Sequence, residues 1–190
     1  MMDPLAKGLN ELTAALKSLG IQFAVGGSLA SSAHGVVRST MDGDLVALIF
    51  APQARQLARV LGPGWYCDLE MMEQALQQRR AFNLIHIGSA LKYDVFPAST
   101  DFHESELERA KPTPLGIEGA ELCPVASAED SLLSKLQWYR EGGEVSDRQW
   151  SDIGGILAQN PGLDWEYVNS WAARLGVSGL LDRARADVEK

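Results

Sequence analysis

The sequence predicts an α+β fold, in which a mixed β-sheet is flanked by helices and followed by a C-terminal helical subdomain. Helix-like and strand-like segments alternate along the first two thirds of the chain, which is typical of helices packed on a sheet. Strand-like apolar runs then stop after Pro124, and helix-start signals take over. We therefore expect a sheet-bearing domain over residues 1–125 and a helical subdomain over residues 126–190.

The N-terminal elements predict a strand–turn–helix unit. A first helix is expected after Asp3 and Pro4, because these residues suit a helix start and the following leucines recur at steps of three and four. Gly20 ends that helix. The apolar run 21–25 predicts a buried strand, and a Gly-Gly-Ser turn at 26–28 leads into a short Ala-rich stretch that can start a helix.

The remaining elements follow from the same signals. In the first part they are a strand over 42–50, helices over 52–61 and 70–80, and a hairpin of strands over 81–87 and 91–96. In the last third, capping-box patterns predict helix starts at Ser127 and Ser146. A third helix is expected after Asp164, and a last one after Gly176.

Composition restricts the class of protein. The chain has 17 Lys and Arg residues against 25 Asp and Glu residues, a formal net charge of −8. This charge repels a phosphate backbone wherever no basic patch intervenes, so extended DNA binding is not expected, although a short or structured RNA end stays open. Because no apolar run approaches the ~18 residues of a membrane span and the first residues do not resemble a secretory signal, we expect a cytoplasmic protein without membrane contact. Cys67 and Cys123 have no spacing typical of a disulfide framework or a zinc knuckle.

Three aspartates form the candidate metal site. Asp42 and Asp44 are two positions apart on a predicted strand, so their carboxylates point to the same face. Like charges at this distance repel unless a cation lies between them, and carboxylates together with substrate phosphates are ligands that Mg²⁺ prefers. Asp94 lies on a later predicted strand and would add a third carboxylate if that strand is adjacent. Three carboxylates can hold two metal ions, but an Asp-x-Asp pair is also common at a solvated strand edge.

The glycine turn is the candidate phosphate site. Gly26, Gly27 and Ser28 follow a buried strand, and backbone N–H groups of such a turn can approach phosphate oxygens closely. A nucleoside triphosphate, ATP among them, would then share the metal ions with the aspartates. The alternative interpretation is that Gly-Gly-Ser is only a turn.

The order of these motifs resembles a known signature. Gly27-Ser28, thirteen intervening residues and Asp42-Gly-Asp44, with Arg38 and Thr40 just ahead, is similar to the signature of the DNA polymerase beta-like nucleotidyltransferase superfamily. Within it, the chain most resembles small bacterial nucleotidyltransferase-like proteins related to abortive-infection toxins. The further matching segments are Lys92-Tyr-Asp94-Val-Phe96, Glu129-Asp130 and Lys135-Leu136, so the likeness covers about residues 20–155.

The resemblance implies that an acceptor hydroxyl attacks the α-phosphate of a nucleoside triphosphate and releases pyrophosphate. It implies that Asp42 and Asp44 hold two Mg²⁺ ions and that Asp94 serves the ion nearer the acceptor. Gly27 and Ser28 would hold the β- and γ-phosphates. Lys135 would contact the triphosphate, or it is simply a solvated lysine on a helix. Arg38 would also contact a phosphate, or it only offsets the charges of Asp42 and Asp44. The sequence does not identify the acceptor, which can be a small molecule, an RNA end or a protein hydroxyl. It also leaves open a toxin–antitoxin-like role with a protein partner.

One residue favours a different hypothesis. Gly43 stands between the two aspartates, where the resembled family usually has an aliphatic residue, and glycine inside a strand often marks a bulge. A bulge would turn Asp42 and Asp44 away from a common face. The alternative function is therefore a catalytically weak or inactive nucleotide-binding or partner-binding module of the same fold.

Overall fold

A computed structural model of the chain describes residues 2–35 and 40–189. Its helices are α1 (Pro4–Ser18), α2 (Gly27–Ala33), α3 (Ala51–Leu61), α4 (Leu69–Gln77), α5 (Asp101–Arg109), α6 (Ala128–Glu141), α7 (Asp147–Gln159), α8 (Trp165–Leu175) and α9 (Ser178–Val188). Its strands are β1 (Phe23–Val25), β2 (Asp42–Ala47), β3 (Trp65–Tyr66), β4 (Phe82–His86), β5 (Leu91–Pro97), β6 (Lys111–Thr113) and β7 (Cys123–Val125).

The strands form one mixed sheet in the order β3-β4-β5-β2-β1-β7-β6. The pairs β2–β5 and β1–β7 are parallel, and the other neighbours are antiparallel. This topology places β2, which carries two of the candidate aspartates, in the middle of the sheet beside β5, which carries the third. The predicted α+β class, a mixed sheet flanked by helices, is confirmed.

Side-chain caps begin the helices where the sequence predicts them. The Asp3 carboxylate accepts a hydrogen bond from the Leu5 backbone N–H at 2.7 Å, which satisfies one of the free donors of the first turn. Ser127, Ser146 and Asp164 cap α6, α7 and α8 in the same way. Because a cap is a local interaction, these starts were predictable from short sequence patterns.

The two faces of the sheet pack against different helices. On one face, the buried Tyr93 donates a hydrogen bond from its hydroxyl to the Leu5 carbonyl of α1 at 2.9 Å. On the other face, Phe96 stacks on Trp138 of α6 with ring centroids 5.5 Å apart. The second face also carries the candidate aspartates, so the C-terminal helices lie next to the candidate site.

The helices after residue 126 share a second apolar cluster. Its buried members come from α6 to α9 and the segments between them, but Phe102 of α5 belongs to it as well. The division of the chain at 125/126 into a sheet-bearing domain and a helical subdomain stays a prediction. No helix within 2–35 and 40–189 is both long and apolar enough to cross a membrane.

Several elements differ from the prediction. Strand β2 ends at Ala47 rather than at residue 50, because Phe50 is already the N-cap of α3. Strands β6 and β7 each contain a proline at their centre, Pro112 and Pro124, which removes the usual strand signal. The two residues of β3 are too few to give a pattern, and α5 is rich in charged residues with a weak apolar period.

Candidate active site

The three aspartates lie on one face of two adjacent parallel strands. The register of β2 and β5 is unbroken, from Asp42 opposite Lys92 through Asp44 opposite Asp94 to Ala47 opposite Pro97. Partners in a regular ladder point to the same face, so the carboxylates of Asp44 and Asp94 are neighbours and Asp42 lies one pleat further along. The predicted adjacency of the two aspartate-bearing strands is therefore present.

Gly43 does not mark a bulge, and the expectation that it could is wrong. It pairs with Tyr93 within the continuous ladder. The reason for glycine is steric, because a Cβ atom at this position would lie 2.6 Å from Cδ1 of the Tyr93 ring. The aromatic side chain occupies the space that an aliphatic residue at position 43 would need. The co-facial geometry of Asp42 and Asp44 is retained.

The glycine turn packs directly on Asp44. Gly27 has a φ of +56°, and a Cβ atom there would lie 1.9 Å from Oδ2 of Asp44. The Gly26 backbone N–H donates to the Asp44 carbonyl at 2.8 Å, which fixes the turn to β2. Ser28 follows as a nearly buried residue of α2. Turn and carboxylate thus form one compact unit, and only glycine at position 27 permits it.

Charge accumulates at Asp44. The pKa of its carboxyl is raised to about 6, first by burial and then by the neighbouring charges of Asp94 and Asp42. Lys135 and Lys92 act in the opposite direction but do not cancel the shift. The cluster consequently has an excess of negative charge that a bound cation would relieve.

Lys92 is a site residue that the sequence analysis did not identify. Its Nζ atom lies 2.7 Å from Oδ2 of Asp94, and this hydrogen bond is the main cause of the raised pKa of Lys92. The signal was present, because positions 92 and 94 are two apart on a strand and share a face. Within the described part of the chain, no three His, Cys, Asp or Glu side chains are arranged to hold a metal ion. Asp94 is instead paired with Lys92.

Lys135 is not a solvated helix lysine, which was one of the two interpretations of this residue from the sequence. It is buried on α6, and its Nζ atom lies 2.7 Å from Oδ2 of Asp152. The same side chain lines a groove of about 280 Å³ together with Gly27, Ser28 and Asp44. The groove also exposes Arg148, a cation that sequence reasoning missed. Arg38, the other predicted phosphate contact, lies outside the described residues.

Glu106 on α5 is a third residue that the sequence did not reveal. It is 2% exposed, and its pKa is raised to about 8, mainly by burial and further by Asp130. Its Oε2 atom has no hydrogen-bond partner among the residues described. Glu106 lies between Glu104 and Glu108 in a helix that resembles a solvated acidic face, so the sequence gives no sign that this one is buried.

Solved structures with the same architecture are nucleotidyltransferases. The solution structure of the antibiotic-resistance factor ANT(2'')-Ia has a TM-score of 0.56 and 18% identity, and the match covers 98% of this chain and 100% of that one. A crystal structure of ANT(2'')-Ia in complex with adenylyl-2''-tobramycin has a TM-score of 0.57 and 16% identity, covering 91% and 97%. An antigenic nucleotidyltransferase-like protein from Paracoccidioides brasiliensis has a TM-score of 0.52 and 19% identity, covering 96% and 93%.

These similarities show the fold. The chain has the nucleotidyltransferase fold over nearly its whole length, in agreement with the superfamily-level resemblance of its motifs. The narrower likeness to proteins related to abortive-infection toxins stays a prediction. No family model matches the sequence, and no curated protein matches it.

Proposed function

We propose that this protein is a metal-dependent nucleotidyltransferase, which transfers a nucleoside monophosphate from a nucleoside triphosphate to an acceptor hydroxyl in the cytoplasm. The observation that carries the proposal is the pairing of Asp44 with Asp94 across two parallel strands, with the Gly27 turn packed on Asp44. In the transfer, a bond forms between the acceptor oxygen and the α-phosphorus, and the bond to the β-phosphate oxygen breaks. Pyrophosphate leaves, and the hydroxyl proton passes to a base, for which Asp94 is the candidate.

The three aspartates offer carboxylate oxygens, the donor type that a hard divalent cation such as Mg²⁺ takes. Asp42 and Asp44 would hold the ions that also contact the triphosphate, and Asp94 would serve a second ion on the acceptor side. The raised pKa of Asp44 agrees with this assignment, because it reflects burial first and then the nearby charges of Asp94 and Asp42. Bound there, Mg²⁺ would neutralise phosphate charge and acidify the acceptor hydroxyl. The Lys92 ammonium would then have to release Asp94.

The groove next to Asp44 is the proposed triphosphate site. Gly27 and Ser28 line this groove and offer backbone N–H groups at the start of α2. The ion pair with Asp152 keeps Lys135 at the wall of this groove. Arg148 adds an exposed guanidinium to the same groove. Gly26 and Arg38 complete the set that we assign to nucleotide binding. Such a transfer depends mostly on positioning and charge neutralisation, which this arrangement supplies.

A small molecule is the favoured acceptor. ANT(2'')-Ia, a structural neighbour, was crystallised with adenylyl-2''-tobramycin, a nucleotidylated small molecule. The net charge of −8 also disfavours a polyanionic RNA end. The alternative of a nucleotide-binding module without catalysis relied on a bulge at Gly43, and the regular β2–β5 ladder removes that support.

The test combines binding and turnover in the purified protein. Calorimetry with each of the four ribonucleoside triphosphates, with Mg²⁺ and with chelator, measures affinity. Pyrophosphate release, with water or a panel of hydroxyl compounds as acceptor, measures transfer. We expect Mg²⁺-dependent binding of at least one triphosphate and its loss in Asp44→Asn. A folded protein that binds no Mg²⁺-triphosphate and releases no pyrophosphate would overturn the proposal.

A further inference from the structure

A narrow cavity lies beside Asp44, between β2, α5 and α6. Its volume is about 40 Å³, and its wall includes Glu106, Ser131, His103 and Trp138. A water molecule needs roughly 10–15 Å³ of such volume, so the cavity can take one small polar group but not a nucleobase. Because Gly27 and Asp44 line both this cavity and the proposed triphosphate groove, a ligand in one adjoins a ligand in the other.

Two residues of this wall each have one buried polar atom without a partner in the described part of the chain. The Oε2 atom of Glu106 and the Oγ atom of Ser131 are both buried without a hydrogen bond to any residue that the structure describes. Unpartnered buried polar atoms are rare in folded proteins, because their desolvation is not compensated. Two residues with such atoms line one cavity next to a candidate active site, which points to a ligand group that supplies the missing hydrogen bonds.

The charges around the cavity indicate whether the bound ligand group is an anion or a cation. Glu106 and Asp44 bring carboxyl groups to it, whereas the charge of Lys135 is already offset by Asp152. Burial lowers the pKa of His103, whose Nδ1 accepts a hydrogen bond from the Ser99 backbone N–H, so this imidazole is neutral at pH 7. An anion would therefore be repelled. A cation with several N–H donors is attracted.

Aromatic rings favour the same choice. Phe96 and Trp138, which stack on each other, line the cavity, and an ammonium group is attracted to the face of an indole or phenyl ring. The raised pKa of Glu106 agrees with this picture. Without a positive charge beside it the carboxyl stays neutral below about pH 8, and an entering cation provides the charge that its ionised form needs.

We propose that this cavity holds a protonated primary amino group of the acceptor, with the Glu106 carboxylate as its counter-ion and Ser131 Oγ as a hydrogen-bond acceptor. The acceptor class is thus a small amino alcohol, whose hydroxyl lies by the aspartates while its ammonium group enters the cavity. This inference rests on the proposed transferase function and specifies its acceptor. Glu106 binds the substrate at a point away from the reacting atoms.

Linear amino alcohols with two to six carbons are suitable probes, and the diols of the same length are their neutral counterparts. Binding is measured through the ring N–H signals of the tryptophans by NMR, with Mg²⁺ and a non-hydrolysable triphosphate present. We expect at least one amino alcohol to bind about tenfold more tightly than its matched diol. In Glu106→Gln, which keeps the shape of the side chain, this preference falls to within about threefold. Glu104→Gln, an exposed change in the same helix, retains it.

Other results would overturn the inference. It fails if the parent protein does not distinguish amino alcohols from diols, or if Glu106→Gln keeps the preference. If Glu106→Gln does not fold, Glu106→Asp replaces it, and here the shorter side chain must weaken amino-alcohol binding without affecting the diol. Triphosphate affinity measured on the same samples separates the two proposals. A protein that binds Mg²⁺-triphosphate but shows no amino preference refutes the inference alone, and one that binds amino alcohols but no triphosphate refutes the transferase function.

Discussion

Asp44 and Asp94 are register partners in the parallel ladder between β2 and β5, and their side chains point to the same face of the sheet. Two strands far apart in sequence therefore bring two carboxylates together at the centre of the sheet. Asp42 belongs to the same face, but it is exposed at the start of β2, and Asp94 is engaged by Lys92. The three aspartates therefore have different surroundings, and their replacement should have different effects.

The first prediction separates these roles. Asp94→Asn should retain most of the affinity for Mg²⁺-triphosphate but lower the rate of single-turnover transfer by a factor of about 10² to 10⁴. The variant loses several kcal/mol of transition-state stabilisation, and each ~1.4 kcal/mol lowers the rate tenfold. Asp42→Asn and Asp44→Asn should weaken both binding and turnover. Calorimetry and rapid-quench kinetics on the same variants provide the measurement. If Asp94→Asn keeps its rate within about threefold while the other two are inactive, Asp94 is only a structural strand residue.

The second prediction concerns Gly43 and reverses what a regular strand alone would suggest. From sequence, replacing a strand glycine by valine should preserve or raise stability. Because the Tyr93 ring occupies that space, Gly43→Val should instead lower the free energy of unfolding by about 1–3 kcal/mol, the usual cost of overpacking. Gly162→Ala is the control, since nothing lies within 4 Å of a Cβ atom there. Urea denaturation of the two variants, compared with the parent, measures the difference, and equal stabilities would contradict the steric explanation.

The third prediction concerns Gly27. A side chain at this position meets both a positive φ and the Asp44 carboxylate, so Gly27→Ala should lose stability and also weaken Mg²⁺-triphosphate binding. A Cβ atom would lie 1.9 Å from Oδ2 of Asp44, so a larger residue would disturb the fold as well as the phosphate site. Gly20→Ala is a matched control, because Gly20 has a φ of +64° with nothing within 4 Å. It should show the backbone strain alone and keep triphosphate affinity. Unchanged affinity in a folded Gly27→Ala variant would count against the phosphate turn.

Local patterns explain which features could be predicted from the sequence. The helix caps at Asp3 and Ser127, the Gly27 turn and the Asp42–Asp44 pair depend on residues a few positions apart. The reason for Gly43, by contrast, is the ring of Tyr93, which is its neighbour only after two strands pair.

Burial of individual polar residues is the other property that could not be predicted from the sequence. Lys135 and Glu106 each resemble solvated helix residues, because the period of a short charged helix does not identify which polar residue faces inward. Both are buried against the site. Lys135 finds its partner Asp152 on the next helix, a contact that depends on how α6 and α7 pack.

The last prediction is the pH dependence that Glu106 gives to stability in the ligand-free protein. Its pKa is raised from an ordinary 4.5 to about 8 in the folded state, chiefly by burial. Below about pH 4.5 the carboxyl is protonated in both the folded and the unfolded state, so it does not change the free energy of unfolding. Between the two values the unfolded chain loses this proton and the folded chain keeps it, so the stability from this group is lost as pH rises, at up to ~1.4 kcal/mol per pH unit.

Glu106→Gln removes this titration and keeps the shape of the side chain, so the difference in unfolding free energy isolates it. The pKa of Asp44 is also raised, to about 6, but Asp44 is present in both proteins and is not among the causes of the Glu106 shift, whereas Asp130 is, so the difference includes the coupling of Glu106 to Asp130. We expect the variant to gain on the parent between about pH 4.5 and 8, by a few kcal/mol in all, and to keep that advantage above this range. Urea denaturation at intervals from pH 5 to 9 measures the two curves, with Glu104→Gln running parallel to the parent as the exposed control. Parallel curves for Glu106→Gln and the parent would mean that Glu106 ionises freely in the folded protein, and that burial does not raise the pKa of its carboxyl.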